Sequence, residues 1–207
     1  MIELCAVCLA YLMGSIPTGL IAGRLKGVDV RQHGSGNVGA TNVARVAGKL
    51  PGLIVLIVDA AKGWLPVTLI ASKAAEFGAS LPLDSLRILL GVAAVTGHIW
   101  NPFLQFQGGK GVATAVGVLI GLDWRVALGS FTIWLLAAVW SRYVSIASIS
   151  AALAAPFLML LFGKPIPWVL GCILVSLAIL WRHRPNILRL LQREEHRIGS
   201  PRRQSAP

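Results

Sequence analysis

Residues 131–140 read FTIWLLAAVW and residues 168–180 read WVLGCILVSLAIL, and neither stretch carries a polar face at helical spacing. A helix packed on the core of a small water-soluble domain keeps a polar side toward water, so in a chain of this size stretches apolar all round belong in hydrocarbon. The pattern repeats outward along the chain, in Leu53–Ala71, Ile88–Phe103 and Ser145–Phe162. Blocks of roughly 17–25 mainly apolar residues have the length a helix needs to cross about 30 Å of hydrocarbon. Composition agrees. Of 207 residues 56% are apolar and 13% charged, against about a quarter charged in soluble domains.

The sequence therefore predicts an all-α integral membrane protein of about seven transmembrane helices, over roughly 2–23, 51–71, 86–104, 110–122, 125–141, 144–163 and 167–182. Residues 1–182 form a single transmembrane domain, and 183–207 a basic cytoplasmic tail whose first part reaches the site. The fourth span is short and rich in glycine and alanine, so a re-entrant stretch is expected before it. Glu3, with no basic residue ahead of the first span, makes the N-terminus a transmembrane helix rather than a signal peptide. Cys5, Cys8 and Cys172 fall inside spans, without zinc-ligand partners, and read as small buried apolar residues.

Basic residues orient this arrangement. Arg24, Lys26, Arg31, Arg45, Lys49, Lys110 and Arg142 join Arg182, Arg184, Arg189, Arg193, Arg197, Arg202 and Arg203 on one side. The other side holds Lys73, Arg87, Arg125 and Lys164. The positive-inside rule then places the N-terminus outside and the C-terminus in the cytoplasm. The net charge of +11 points to anionic headgroups and anionic substrates rather than nucleic acid, because no soluble basic domain is present.

Three polar motifs collect on the cytoplasmic side. In HGSGNVGATNVARVAGK, residues 33–49, Gly34, Gly36 and Gly39 let backbone N–H groups approach a ligand. Ser35, Asn37, Thr41 and Asn42 add short-reach hydrogen-bond partners, and Arg45 a planar fork suited to phosphate. In GHIWNPFLQFQGGKGVAT, residues 97–114, Gly108, Gly109, Lys110 and Gly111 stand where successive N–H groups and a point charge make an anion site. This is not a Walker loop, because Leu104 and Gly111 occupy positions that need glycine and a hydroxyl residue. In RHRPNILRLLQREEHRIG, residues 182–199, His183 and Asn186 are one helical turn apart. Mid-span, Asp59 and Lys62 lie at helical spacing and are expected to pair or line a cavity. Ser145 and Ser148 share one face of a later helix and suit helix packing or a pocket.

Taken together, these motifs, with YLMGSIPTGLIAGRLKGVDVRQ ahead of the first and RYVSIASI near residue 145, resemble the bacterial acyl-phosphate:glycerol-3-phosphate acyltransferase family. The resemblance covers nearly the whole chain in order and spacing. It implies seven transmembrane helices, an active site facing the cytoplasm across the bacterial inner membrane, and no cofactor or metal. The implied reaction moves a fatty acyl group from acyl phosphate to the 1-hydroxyl of glycerol 3-phosphate, giving lysophosphatidic acid and phosphate. A functional link to an enzyme that forms acyl phosphate is implied as well. Ser35, Arg45, Lys110, His183 and Asn186 are then expected to be catalytic. Gly36, Asn37, Thr41, Asn42, Gly108, Gly109, Gly111, Ser145 and Glu195 are expected to bind substrate. The family usually has glycine two residues before its glutamate, where this chain has Arg193, and Glu194 adjoins Glu195.

The residues suit that chemistry. Two phosphates of about −1.5 to −2 charge each repel one another, which calls for arginine, lysine and backbone donors. An acyl phosphate is already activated and needs positioning more than a nucleophile. No GxSxG elbow is present, and none of His33, His98, His183 and His196 has aspartate five residues on, so the HxxxxD pattern of acyl-CoA enzymes is missing. Rival readings are a transporter for an anionic solute, which would share glycine-broken helices, and a lipid-binding protein without chemistry.

Overall fold

The structure is a computed structural model describing residues 1–199; Arg202 and Arg203 of the tail lie outside the described residues. All regular structure among those residues is helical. Helices α1 (Ile2–Gly14) and α2 (Thr18–Arg24) form one rod broken at residues 15–17. The first motif follows as a loop leading into the short α3 (Ala40–Val46). Helix α4 (Lys49–Leu65) runs through a π-helical turn at Pro66–Ile70 into α5 (Ala71–Glu76), the widening that a proline without N–H induces. Then come α6 (Leu83–Ile99), α7 (Val112–Leu122), α8 (Trp124–Ser141), α9 (Val144–Leu161), α10 (Ile166–Arg182) and α11 (Arg184–Leu191).

Every predicted span falls on a helix, but five are long and apolar enough to cross a membrane, or six if α10 and α11, bent by 50°, count as one. Helix α7 has 11 residues, about 17 Å at 1.5 Å per residue, short of a full crossing. Large apolar side chains such as Trp140 and Phe157 point outward, an arrangement suited to lipid rather than water.

The closest packing joins α8 to α9, α4 to α7 and α1 to α6. Glycine makes these approaches available. A Cβ on Gly117 of α7 would stand 1.8 Å from the Ala60 carbonyl oxygen of α4, and one on Gly63 of α4 would stand 2.0 Å from that of Thr114. With so little lateral hydrophobic drive between helices in lipid, such backbone contact is what holds them together.

The break between α1 and α2 shows how irregular backbone survives at depth. Pro17 interrupts the ladder, and the freed carbonyls find side-chain donors from elsewhere. Asn101 Nδ2 donates to the Ser15 carbonyl at 2.6 Å, and Lys62 Nζ to the Ile16 carbonyl at 2.8 Å. Lys62 also pairs with Asp59 at 2.7 Å, both side chains being buried. Thr18 donates its hydroxyl hydrogen to the same carboxylate. The charges predicted mid-span are therefore paired with each other, and the lysine closes the break in the first rod.

Candidate active site

One cavity of about 440 Å³ takes its wall from all three motifs. Ser145 and Met159, both on that wall, are 14 residues apart on α9, about 21 Å along a helix. Lys110 and Leu122 mark the wall on the α7 side, His183 and Cys172 on the α10 side. One end is polar, lined by Ser35, Arg45, Lys110, Asn186 and Glu195; the other is apolar, lined by Leu119, Leu122, Ala155 and Met159. It is a deep slot with a charged mouth.

The first-motif loop is shaped by Asn42, which is 2% exposed. Its amide nitrogen reaches the carbonyls of Val30, His33 and Asn37, and its oxygen accepts from the Ser35 N–H at 2.9 Å. A Cβ on Gly34 would stand 2.3 Å from that oxygen, and Gly34 and Gly36 both take positive φ, where glycine carries no steric cost. Asn37 Oδ1 in turn accepts from the Gly39 N–H at 2.7 Å. Asn42 thus holds the loop that sets Ser35, Asn37, Thr41 and Arg45 on the wall. Gly36 is exposed and stands off the wall. Burial lowers the pKa of Arg45, with Glu195 opposing and Arg189 reinforcing the effect.

The glycine loop is built differently from the expectation of free N–H groups. Gly108 N–H donates to the Ile99 carbonyl at 3.0 Å and Gly109 N–H to that of His98 at 3.1 Å. A Cβ on Gly109 would stand 2.1 Å from His98 Nε2, so this pair is glycine because it packs on the end of α6. Neither glycine reaches the wall; Lys110 and Gly111, with positive φ, do. Glu195, Arg189, Arg182 and Arg45 are the charged groups that act on the Lys110 ammonium.

In the third motif His183 is 2% exposed. Its Nδ1 lies 2.8 Å from the Ile179 carbonyl; a carbonyl only accepts, so Nδ1 carries the hydrogen and Nε2 is the remaining acceptor. Asn186 Nδ2 donates to Glu195 Oε1 at 2.6 Å, and Arg189 Nε to Oε2 at 2.8 Å. Burial raises the Glu195 pKa, but these bonds outweigh it and leave the carboxyl below its ordinary value. Asn186 Oδ1 is buried without a partner, the arrangement a substrate hydroxyl would complete. Ser145 Oγ lies close enough to help lower Glu195 yet closes no hydrogen bond itself. The tail returns over the site because Ile198 N–H donates to the Arg142 carbonyl at 2.8 Å and Arg142 donates back to the Ile198 carbonyl at 3.0 Å.

Between the adjacent acids, the contacts single out Glu195. Glu195→Ala should lower turnover at least about tenfold, since two partners of a charge-assisted network are stranded. Glu194→Ala, at an exposed position, should leave the initial rate within a factor of two or so. Equal rates in the two variants would reverse that assignment.

Arg189 and His98 also line the cavity, and sequence reasoning did not place them there; Asp59, expected to pair or line a cavity, does both. Arg189 stands three residues after Asn186, a spacing that puts both on one helix face and was available as a signal.

A family model described as glycerol-3-phosphate acyltransferase matches residues 4–193. Curated relatives bear the same description. One from Moorella thermoacetica, glycerol-3-phosphate acyltransferase 2, is 48% identical over 197 residues, covering 95% of this chain and 97% of its own length. One from Aquifex aeolicus is 47% identical over 193 residues, covering 93% and 97%. Two crystal structures of PlsY, an integral membrane glycerol 3-phosphate acyltransferase, superpose on this chain. Its glycerol 3-phosphate form has a TM-score of 0.87 at 45% identity, covering 95% of this chain and 96% of the other. Its lysophosphatidic acid form has a TM-score of 0.85 at 44% identity, covering 95% of each.

Proposed function

The chain belongs to the glycerol-3-phosphate acyltransferase family and is an acyltransferase, and from that premise we propose that it acylates the 1-hydroxyl of glycerol 3-phosphate with acyl phosphate as donor. The observation that carries this reading is one slot whose mouth gathers Ser35, Arg45, Lys110, His183 and Asn186 and whose depth is apolar. The mouth suits two phosphates, and the apolar depth suits one acyl chain.

The glycerol hydroxyl oxygen attacks the acyl carbonyl carbon, the bond from that carbon to the phosphate oxygen breaks, and inorganic phosphate leaves. Lys110 and Arg45 offset the phosphate charge, with Ser35, Asn37 and Thr41 as further hydrogen-bond partners. Asn186 Oδ1 accepts from a substrate hydroxyl. The hydroxyl proton goes to a substrate phosphate oxygen or to His183 Nε2. Because acyl phosphate carries its own good leaving group, no protein nucleophile is needed.

The remaining assignments rest on charge and hydropathy. The chain crosses the bacterial inner membrane seven times, α7 and its preceding loop making the short crossing, with the N-terminus outside and the site facing the cytoplasm. There it works beside an enzyme that forms acyl phosphate.

The test uses purified protein in detergent, with palmitoyl phosphate and palmitoyl-CoA as parallel donors to glycerol 3-phosphate. Lysophosphatidic acid and free phosphate appearing together from palmitoyl phosphate alone is the expected result. Product from palmitoyl-CoA alone would remove acyl phosphate from the proposal.

A further inference from the structure

We propose that Arg182 is a positioning residue, a clamp that ties the glycine loop to the start of the third motif and so sets Lys110 against His183. The role of Lys110 in transfer rests on the reading above; the clamp itself rests on geometry.

Arg182 ends α10, and its guanidinium bonds two successive carbonyls of the loop. Nη2 donates to the Gly108 carbonyl at 2.6 Å and Nε to that of Gly109 at 3.1 Å. The N–H groups of the same two residues are already bound to the end of α6, and the Gly109 α-carbon packs against the His98 ring. The peptide groups ahead of Lys110 are therefore held from both sides, by α6 through their donors and by α10 through their acceptors. Lys110 is the next residue in one direction, and His183 follows Arg182 in the other. A planar fork spans two adjacent carbonyls, which a lysine ammonium, as a point donor, does less well. The two helix ends are also joined by their tryptophans, Trp100 and Trp181, with ring centroids 5.7 Å apart.

Arg182 does not stand on the cavity wall, whereas Lys110, His183, Asn186 and Arg189 do. A direct phosphate ligand would stand there. Arg182 acts through the loop instead: without it two buried carbonyls lose their partner, and the loop moves to find water or another donor.

The experiment reads where Lys110 sits without needing turnover. The groups whose charges act on Lys110 are Glu195, Arg189, Arg182 and Arg45, and Lys110 in turn acts on His183. Lys110 is titrated by acetic anhydride labelling against pH, quantified by mass spectrometry, in wild type, Arg182→Lys and Arg182→Met. Thermal midpoints in detergent confirm that each variant is folded.

The pH of half-labelling should shift by about one unit or more in both variants, as the freed loop moves Lys110 relative to its charged neighbours. In the acyl phosphate assay Arg182→Met should lose about 10²-fold in turnover, the effect of a displaced catalytic group, and Arg182→Lys less. An unmoved labelling profile in both folded variants overturns the clamp. Movement in Arg182→Met alone also overturns it, since that reports lost charge rather than lost position. If wild type fails to use acyl phosphate while the labelling shifts as expected, the clamp stands and the donor assignment falls.

Discussion

Lys110→Met is expected to lower turnover at pH 7 by about 10²–10³-fold, the cost of removing one preorganised electrostatic contact to developing charge. Lys110 lines the charged mouth of the slot. Charge there is little screened by water, so its loss weighs more than at a surface. Lys110→Arg keeps the charge but not the compact geometry of the ammonium and should retain part of the rate. A Lys110→Met variant turning over at the wild-type rate would mean that another cation holds the phosphate.

Asp59→Asn is expected to cost about 3–5 kcal/mol of stability, because it leaves a buried cation without its counter-charge. Asp59 and Lys62 side chains are 1% and 5% exposed and 2.7 Å apart. Asparagine can still accept from Thr18, so the loss isolates the charge rather than the hydrogen bond. Thermal unfolding in detergent should show the drop. The double variant Asp59→Asn, Lys62→Met should recover part of it, since removing both charges is tolerated better than stranding one. Recovery stays incomplete because the Ile16 carbonyl then loses its lysine donor and keeps only the Thr18 N–H. A wild-type midpoint in the single variant would mean that water reaches the pair.

What the sequence discloses and what it hides divide along a physical line. Periodicity and composition locate the apolar rods, because FTIWLLAAVW has no polar side in any helical register. The convergence of three motifs was also legible, because basic residues and small polar residues fall on the same side of those rods. Local spacing cannot disclose which groups a loop uses to hold itself. Asn42 looks like a short polar side chain available to ligand, and only the folded loop shows its amide tied to Val30, His33 and Asn37. Gly108 and Gly109 have the composition of an anion-binding turn, yet their N–H groups pair with the end of α6, a partner fixed by tertiary approach. Arg182 counts in sequence as one more basic tail residue; its two carbonyl partners lie more than 70 residues away. The crossing number stayed open for a similar reason. Helix α7 is too short by length alone, and the loop before it folds onto other protein rather than extending the rod.

The break at residues 15–17 bears on how the chain is made. Its carbonyls are met by Lys62 and Asn101, residues the ribosome adds later. At roughly 5–20 residues per second, the 85 or so residues from Ile16 to Asn101 take about 4–17 s to appear. Until then the Ser15 carbonyl lacks its side-chain donor and that of Ile16 has only the Thr18 N–H, and the hydrocarbon interior supplies none. The newborn N-terminal segment must therefore wait beside the insertion machinery, or keep its kink in the headgroup layer, until α4 and α6 arrive to receive it. The first segment to enter is among the last to settle.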